Sequence, residues 1–344
     1  MSTPAYLALE KMMQSYIKSP SINLDVKRLE TRLAEVPDEM KMKLIKRKDG
    51  ECKPIQCAIA RSHTQIITAL LMCLQPFSRL ELLISTGLTP LHRAAFYGHI
   101  RAVKCVLNCL SPEERYKLIS KLDEENKTAV HRALQGGSLD TIWVILHCLT
   151  IDQRIAILSK LRANGRSIIQ EASWLGYSKA LYVILQSLPK FTQRIQVTAG
   201  RDKFGSTAVQ TAALKGFAQT VRVLLTSIPS TQRLAQLMIP SVLSSENYQS
   251  NENVSGLHWH TAIHQISQGG FTGTIKVILE LLNPDDRMRL LTNEDGYRYR
   301  TTMHWAWPST GEWKQWKQFC TTSLQRSSCT FLVCVTKTAK QLYN

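Results

Sequence analysis

One block of ten residues recurs along the chain, and this recurrence constrains the fold more than any other feature. Its clearest copy is Thr89-Pro-Leu-His-Arg-Ala-Ala-Phe-Tyr-Gly98. Copies of varying quality begin near positions 53, 89, 128, 167, 207, 261 and 301, so the spacings are 36, 39, 39, 40, 54 and 40 residues. A sustained period of this length indicates an array of stacked supersecondary units.

A second marker repeats in phase with the first. An Arg lies eight or nine residues after the Leu that closes each of six units, and these residues are Arg79, Arg115, Arg154, Arg194, Arg233 and Arg287. Two independent markers in one phase argue against a chance repeat.

The chemistry of one unit predicts a helical hairpin. Thr89 is a natural N-cap, and Pro90 occupies the first helical position, where a missing N–H costs nothing. Gly98 then permits a left-handed turn. After the turn, Val103 and Leu107 lie on one face of a second helix.

Each unit is also predicted to contain a third, short helix. Ser111-Pro-Glu-Glu-Arg115 has the residues of a capping box, and Asn283-Pro-Asp-Asp-Arg287 repeats the signal. Such a unit cannot bury both of its faces alone, so the array must be stabilised by stacking.

These residues resemble the ankyrin repeat, whose signature is Thr-Pro-Leu-His-x-Ala-Ala followed by a Gly turn. The resemblance covers roughly residues 48–307. The period near 39 exceeds the usual value of about 33, and Gln replaces His at positions 56, 170 and 210. The implied fold is all-α, an α-solenoid of about six to seven helical-hairpin repeats with one extra short helix in each.

The repeat divides the chain into three segments. Residues 1–47 form an N-terminal leader, with capping helices expected over Tyr6–Met13 and Leu24–Leu33. Residues 48–307 form the array, and a polar insertion at 241–256 is expected to be a flexible loop. Residues 308–344 form an irregular tail, interpreted either as an edge strand or as the product of a slipped reading frame.

Composition favours a folded protein that attracts polyanions. Among 344 residues, 43 Lys and Arg face 26 Asp and Glu, which gives a formal charge of +17. No run of 18 to 20 apolar residues predicts a membrane span, and the first ten residues lack a secretory signal pattern. We therefore expect a cytoplasmic monomer whose nine Cys are reduced thiols.

Motifs for catalysis or cofactor binding are not evident. His92, His131, His264 and His304 share one repeat position, to which the resemblance assigns a structural role. A His258, His260 and His264 metal site is disfavoured because His264 already has that role. The sequence therefore predicts a protein that is not an enzyme and binds no cofactor.

The resemblance implies a concave groove lined by residues five, eight and nine of each first-helix block. We expect it to bind a protein partner that is acidic or mixed in charge, although these side chains could equally pack against the preceding connection. Aromatic and Arg side chains are common in binding hot spots. The candidates are Arg93, Phe96, Tyr97, Arg132, Gln135, Glu171, Trp174, Thr211, Leu214, Lys215, Gln265, Gln268 and Trp305.

A basic cluster precedes the first unit and consists of Lys41, Lys43, Lys46, Arg47 and Lys48. It is interpreted as a helix end whose cations face the negative pole of the helix dipole, or as a nuclear-import or phosphate-binding cluster. With the net charge, it supports an alternative function in binding nucleic acid or phosphate surfaces. The resemblance also allows an effector that an intracellular bacterium delivers into its host.

Overall fold

The computed structural model describes residues 4–18, 25–46, 53–84, 88–162, 164–203, 205–243 and 258–293. The chain forms two compact units, one within Met1–Lys203 and the other within Phe204–Asn344. The predicted seventh copy, the tail and most of the insertion lie outside the described residues.

The described residues of the first unit form fifteen helices, which follow one another in groups of three. The leader holds α1 (Pro4–Lys18), α2 (Val26–Ala34) and α3 (Asp38–Lys46). Four repeats follow, made of α4 (Pro54–Ala60), α5 (Thr64–Met72) and α6 (Pro76–Ile84); α7 (Pro90–Phe96), α8 (Ile100–Asn108) and α9 (Pro112–Ser120); α10 (Ala129–Gln135), α11 (Leu139–His147) and α12 (Ile151–Ser159); α13 (Ile168–Trp174), α14 (Ser178–Gln186) and α15 (Phe191–Thr198).

The second unit contains two further repeats and a short β-ribbon. The fifth repeat holds α16 (Ala208–Leu214), α17 (Ala218–Thr226) and α18 (Ser230–Leu237), and the sixth holds α19 (Ala262–Gln268), α20 (Thr272–Leu281) and α21 (Pro284–Leu291). Between them, β1 (Ser241–Leu243) pairs antiparallel with β2 (His258–His260). The first three residues of the predicted insertion therefore form a strand, where a flexible loop was expected. The all-α repeat fold with a third helix is confirmed, and the ribbon is an addition that the sequence did not predict.

Local signals form the hairpins as expected. The Thr89 hydroxyl accepts the N–H of His92 at 3.4 Å, and the Ser111 N–H donates to Glu114 Oε2 at 2.9 Å. Gly98 adopts a left-handed φ of 69°, and Ser62 takes the same conformation where the first repeat lacks Gly. Behind the caps, fully buried Ala residues such as Ala95 permit close packing between α7 and α10.

In three of the described repeats, the fourth residue of the block bonds to the turn of the next repeat. His92 Nε2 lies 2.9 Å from the Lys127 carbonyl oxygen, and Gln170 Nε2 donates to the Gly200 carbonyl at 3.0 Å. Gln210 makes the corresponding bond to the Ile239 carbonyl in the second unit. Gln therefore replaces His without loss of the inter-repeat hydrogen bond.

The repeated Arg residues bind the carbonyl groups at the ends of the second helices. Arg154 Nε donates to the Leu149 carbonyl at 3.1 Å, and its Nη1 donates to the Ser187 carbonyl of the next repeat at 2.6 Å. Arg79 and Arg233 also span two repeats. Because a helix C-terminus carries partial negative charge and unsatisfied carbonyls, these three guanidinium groups stabilise both a helix end and a repeat boundary.

The leader packs against the first repeat in the same arrangement that the repeats share. Helix α1 packs on α4 and α2 packs on α5, as first and second helices do. The Tyr16 hydroxyl lies 2.7 Å from His63 Nδ1, and Arg61 donates to the Tyr16 carbonyl at 2.9 Å. The leader thus has the helix order of a repeat without its Thr and Gly landmarks.

The helices are short compared with the thickness of a bilayer. The longest in the described part of the chain is α1, with 15 residues. Among the described residues, no helix has the length and apolar character that crossing a membrane requires.

Candidate functional site

The end of α7 carries an exposed patch of one cation and two aromatic rings. Phe96 and Tyr97 are 39% and 67% exposed, and their rings meet edge to face with centroids 5.2 Å apart. Tyr97 also stacks on His99 at 5.9 Å. Arg93 is exposed one turn before Phe96, and its guanidinium has no ion-pair or hydrogen-bond partner among the described residues. We call Arg93, Phe96 and Tyr97 the Arg93 patch.

Gly136, which has no side chain, lies next to the Phe96 backbone. A Cβ atom at Gly136 would overlap the Phe96 carbonyl oxygen, so Gly is required where the ends of α7 and α10 approach. The third repeat consequently presents exposed backbone, rather than a side chain, beside Phe96. Residue 136 therefore adds no side chain next to the Phe96 backbone.

Arg132, at the position equivalent to Arg93, forms hydrogen bonds with three side chains of its own repeat. Its Nε donates to Asp123 at 2.6 Å, its Nη2 to Glu125 at 2.9 Å and its Nη1 to Gln135 at 3.3 Å. Burial alone would raise the pKa of Asp123, but the Lys127 N–H and the Arg132 guanidinium hold that pKa below its ordinary value. Arg132 and Gln135 thus stabilise the turn before α10.

Glu171 and Trp174, on α13, are also engaged. Glu171 is buried and pairs with Arg162, which in addition donates to the carbonyls of Glu125 and Asn126 at 3.2 Å. The Arg166 guanidinium lies 3.9 Å from the centroid of the Trp174 ring, a cation–π geometry that leaves Trp174 half-buried. These two candidates therefore pack against the preceding turn.

The third and fourth repeats each contain an ion pair between a turn residue and the fifth block residue, and the signs of the two charges are opposite in the two repeats. Asp123 and Arg162 each lie five residues before the start of their block, and Arg132 and Glu171 are the fifth residues of those blocks. In both repeats, a carboxylate and a guanidinium from these positions form an ion pair. The second repeat has Ile84 at the turn position, and Ile84-Ser-Thr-Gly-Leu88 contains no acidic residue for Arg93.

The candidates in the second unit differ in exposure. Leu214 is 47% exposed and Lys215 is exposed, whereas Thr211 and Gln265 are buried. The Thr211 hydroxyl donates to the Thr207 carbonyl at 2.8 Å. The side chains of Gln268 and Trp305 lie outside the described residues.

The basic cluster is partly neutralised by neighbouring carboxylates. Lys41 is buried and donates to Asp38 at 2.8 Å, and Lys46 pairs with Glu81. Lys43 is exposed, while Arg47 and Lys48 lie outside the described residues. The described cations of this cluster therefore do not form one continuous exposed surface.

His131, one of the repeated His residues, is buried and uncharged. Burial, with the nearby charges of Arg162 and Lys127, lowers the pKa of His131 to about 3, so this imidazole is neutral near pH 7. Its Nδ1 accepts the Thr128 N–H at 3.3 Å, as a structural His does. No group of three or more His, Cys, Asp or Glu residues could hold a metal ion within the part of the chain that the structure describes.

The sequence reasoning missed a second exposed aromatic pair, on the second helices. Trp143 on α11 and Tyr182 on α14 are 50% and 56% exposed, and His147 stacks on Trp143 at 4.0 Å. Both aromatic residues lie six positions after the turn Gly of their repeat. That equivalence is the signal that could have identified them.

Comparisons with known proteins found one matching family and several similar solved structures. A family model described as ankyrin repeats, in three copies, matches residues 55–157. The structure is similar to the ankyrin repeat domain of Bcl-3, described as a unique member of the IkappaB protein family, with 17% identity, a TM-score of 0.44 and coverage of 67% of this chain and 88% of that chain. It is also similar to the ankyrin repeat protein EF0377, with 18% identity, a TM-score of 0.44 and coverage of 65% and 98%. No curated protein matches the sequence.

Proposed function

We propose that this chain, whose residues 55–157 match the ankyrin repeat family, is a non-enzymatic scaffold that binds a protein partner through the face formed by its first-helix ends. Ankyrin repeats are in general protein–protein interaction modules. The finer assignment, to this face and to an acidic or mixed partner, is our proposal. A repeat fold carries its function in its variable surface, so the proposal depends on which surface residues are free.

The Arg93 patch is the observation that supports this proposal most directly. Phe96 and Tyr97 are exposed and adjacent, and Arg93 needs no internal partner. Aromatic and Arg side chains dominate the energetics of protein interfaces because they bury large areas and desolvate well. The engaged residues Arg132, Glu171 and Trp174 would then position the surface around the patch.

A capture experiment with two matched triple variants tests the proposal. The full chain in which Arg93, Tyr97 and Trp174 are changed to Ala should lose the partners that the wild-type chain captures from its native cell. The control changes Arg101, Trp143 and Tyr182 to Ala, which removes the same three residue types from exposed positions on the second helices. Equal capture by both variants would remove the first-helix face from consideration.

Nucleic-acid or phosphate-surface binding is the alternative function, and the net charge of +17 favours it. The pairing of Lys41 and Lys46 with carboxylates weighs against the basic cluster as its site. Binding of this kind would weaken steeply as salt rises, because cations on the protein displace counterions from the phosphates. A duplex-DNA titration at two salt concentrations measures that slope, and an absence of binding at low salt would exclude the alternative.

The cellular setting is part of the same proposal. We propose that the protein acts in a cytoplasm, either that of its own cell or that of a host into which it is delivered. Import into the nucleus through Lys41, Lys43, Lys46, Arg47 and Lys48 is the variant of this proposal. Imaging of a fluorescent fusion, with and without Lys43, Arg47 and Lys48 changed to Ala, separates the two compartments.

A further inference from the structure

A guanidinium–carboxylate pair involves the fifth block residue in two consecutive repeats of the first unit. The third repeat has Arg132 with Asp123, and the fourth has Glu171 with Arg162. In each pair, the second member comes from the turn that precedes the first helix. The second repeat supplies Arg93 but has no acidic residue from Ile84 to Leu88. The third and fourth repeats thus form this ion pair within the molecule, whereas Arg93 of the second repeat has no carboxylate from the preceding turn to pair with.

The surroundings of Arg93 favour an external carboxylate that carries an apolar neighbour. Phe96 and Tyr97 lie within about one helical turn of Arg93, and their side chains are 39% and 67% exposed. A guanidinium binds a carboxylate through two parallel hydrogen bonds, and these strengthen when water is excluded by apolar groups. An acidic side chain alone would leave the two rings exposed.

We propose that Arg93 anchors an acidic side chain of the protein partner while an adjacent apolar side chain of the same segment covers Phe96 and Tyr97. This proposal rests on the proposed function, because it specifies the chemistry of the segment that the first-helix face binds. The occupant is an acidic and apolar peptide segment, which the net charge of +17 also attracts over long range.

Charge reversal at one residue tests the proposal with defined probes. The probes are synthetic Glu-Gly-Leu, Lys-Gly-Leu and Glu-Gly-Ser repeat peptides, titrated into the full chain by fluorescence anisotropy. The wild-type chain should bind the Glu-Gly-Leu peptide most tightly. Arg93→Glu should weaken this binding by about tenfold or more, since charge-assisted bidentate pairs are strong, and should bind the Lys-Gly-Leu peptide more tightly than the wild type does.

Arg101→Glu is the matched control. Arg101 is an exposed Arg of the same repeat on helix α8, and its reversal changes the net charge by the same amount. It should leave the affinity for Glu-Gly-Leu within about twofold of the wild type. Equal losses in Arg93→Glu and Arg101→Glu would show that only overall charge matters and would overturn the proposal.

The remaining outcomes separate this proposal from the function on which it rests. Equal affinity for Glu-Gly-Leu and Glu-Gly-Ser would refute the apolar contact with Phe96 and Tyr97. An oligothymidylate that binds the wild type more tightly than either acidic peptide, and loses affinity in Arg93→Glu, would identify a polyanion site instead. If the triple variant loses its captured partners while Arg93→Glu retains them, the first-helix face still binds a partner and the anchoring role of Arg93 is wrong.

Discussion

Replacing Arg154 by Ala tests whether the repeated Arg residues hold neighbouring repeats together. The change removes the Nε bond to the Leu149 carbonyl and the 2.6 Å bond from Nη1 to the Ser187 carbonyl. A hydrogen bond from a charged donor contributes about 1.5–3 kcal/mol. Water can replace part of each bond because Arg154 is half-buried, so we expect the free energy of unfolding to fall by about 2–4 kcal/mol.

Arg154→Lys distinguishes the two-sided bond from the positive charge alone. A Lys ammonium keeps the charge at the helix C-terminus but lacks the planar fork that reaches both carbonyls. We therefore expect Lys to recover less than half of the lost stability. Urea denaturation followed by circular dichroism measures both variants at equilibrium.

The site of the destabilisation can also be predicted, in addition to the change in the free energy of unfolding. In Arg154→Ala, amide hydrogen exchange should accelerate most where α11 and α12 meet α14 and α15, because the lost bond joins these two repeats. The reasoning is refuted if Arg154→Ala unfolds within about 0.5 kcal/mol of the wild type, the usual range for surface substitutions, or if Lys restores full stability.

Three further predictions follow from the first unit. Arg132→Ala should destabilise by about 3 kcal/mol in urea denaturation, because it leaves the buried Asp123 carboxylate without its ion pair, whereas Arg93→Ala should cost less than about 0.5 kcal/mol. The folded-state pKa of His131, about 3, lies below its ordinary value of 6.5. Its stabilising contribution is therefore complete above pH 6.5 and is lost as pH falls toward 3. In urea titrations at several pH values, His131→Gln should reduce the slope of the free energy of unfolding against pH in this range by about 1 kcal/mol per pH unit. Hydrogen bonding to the Cys109 thiol lowers the pKa of Cys105, while burial raises the pKa of Cys148 to about 11. Iodoacetamide at pH 7 should therefore label Cys105 before Cys148 in peptide mass spectra, and the reverse order would contradict this.

The repeat fold could be predicted because its signals are local. A Thr cap, a Gly with positive φ and a Ser-Pro-Glu-Glu box each act within a few residues, so Thr89, Gly98 and Ser111 identified their helices from sequence alone. In the leader, helices were expected over Tyr6–Met13 and Leu24–Leu33, where α1 and α2 lie, but without these landmarks its repeat-like order of three helices was not predicted. Its helix α3, found at Asp38–Lys46, was interpreted only as a run of cations at a helix end.

The state of each site residue was harder to predict because it depends on contacts between sequence segments. Repeat position suggested that Arg93 and Arg132 are alike, but Asp123 and Glu125 pair with Arg132 and not with Arg93. The exchange of charge between Asp123 and Arg162 was visible in the sequence once the turns were aligned. The role of the phased Arg residues could not be predicted from sequence. Their acceptors are backbone carbonyls, which every residue has, so no side chain marks the partner.

Hydrogen exchange on the purified complex tests the central claim most directly. With the captured partner bound, the account predicts slower exchange at the end of α7 and in the adjoining turn, residues 93–99, and at Gln135–Gly137. The second helices α8, α11 and α14 should exchange as they do in the free chain. Protection concentrated on α11 and α14 around Trp143 and Tyr182, with residues 93–99 unchanged, would contradict the account.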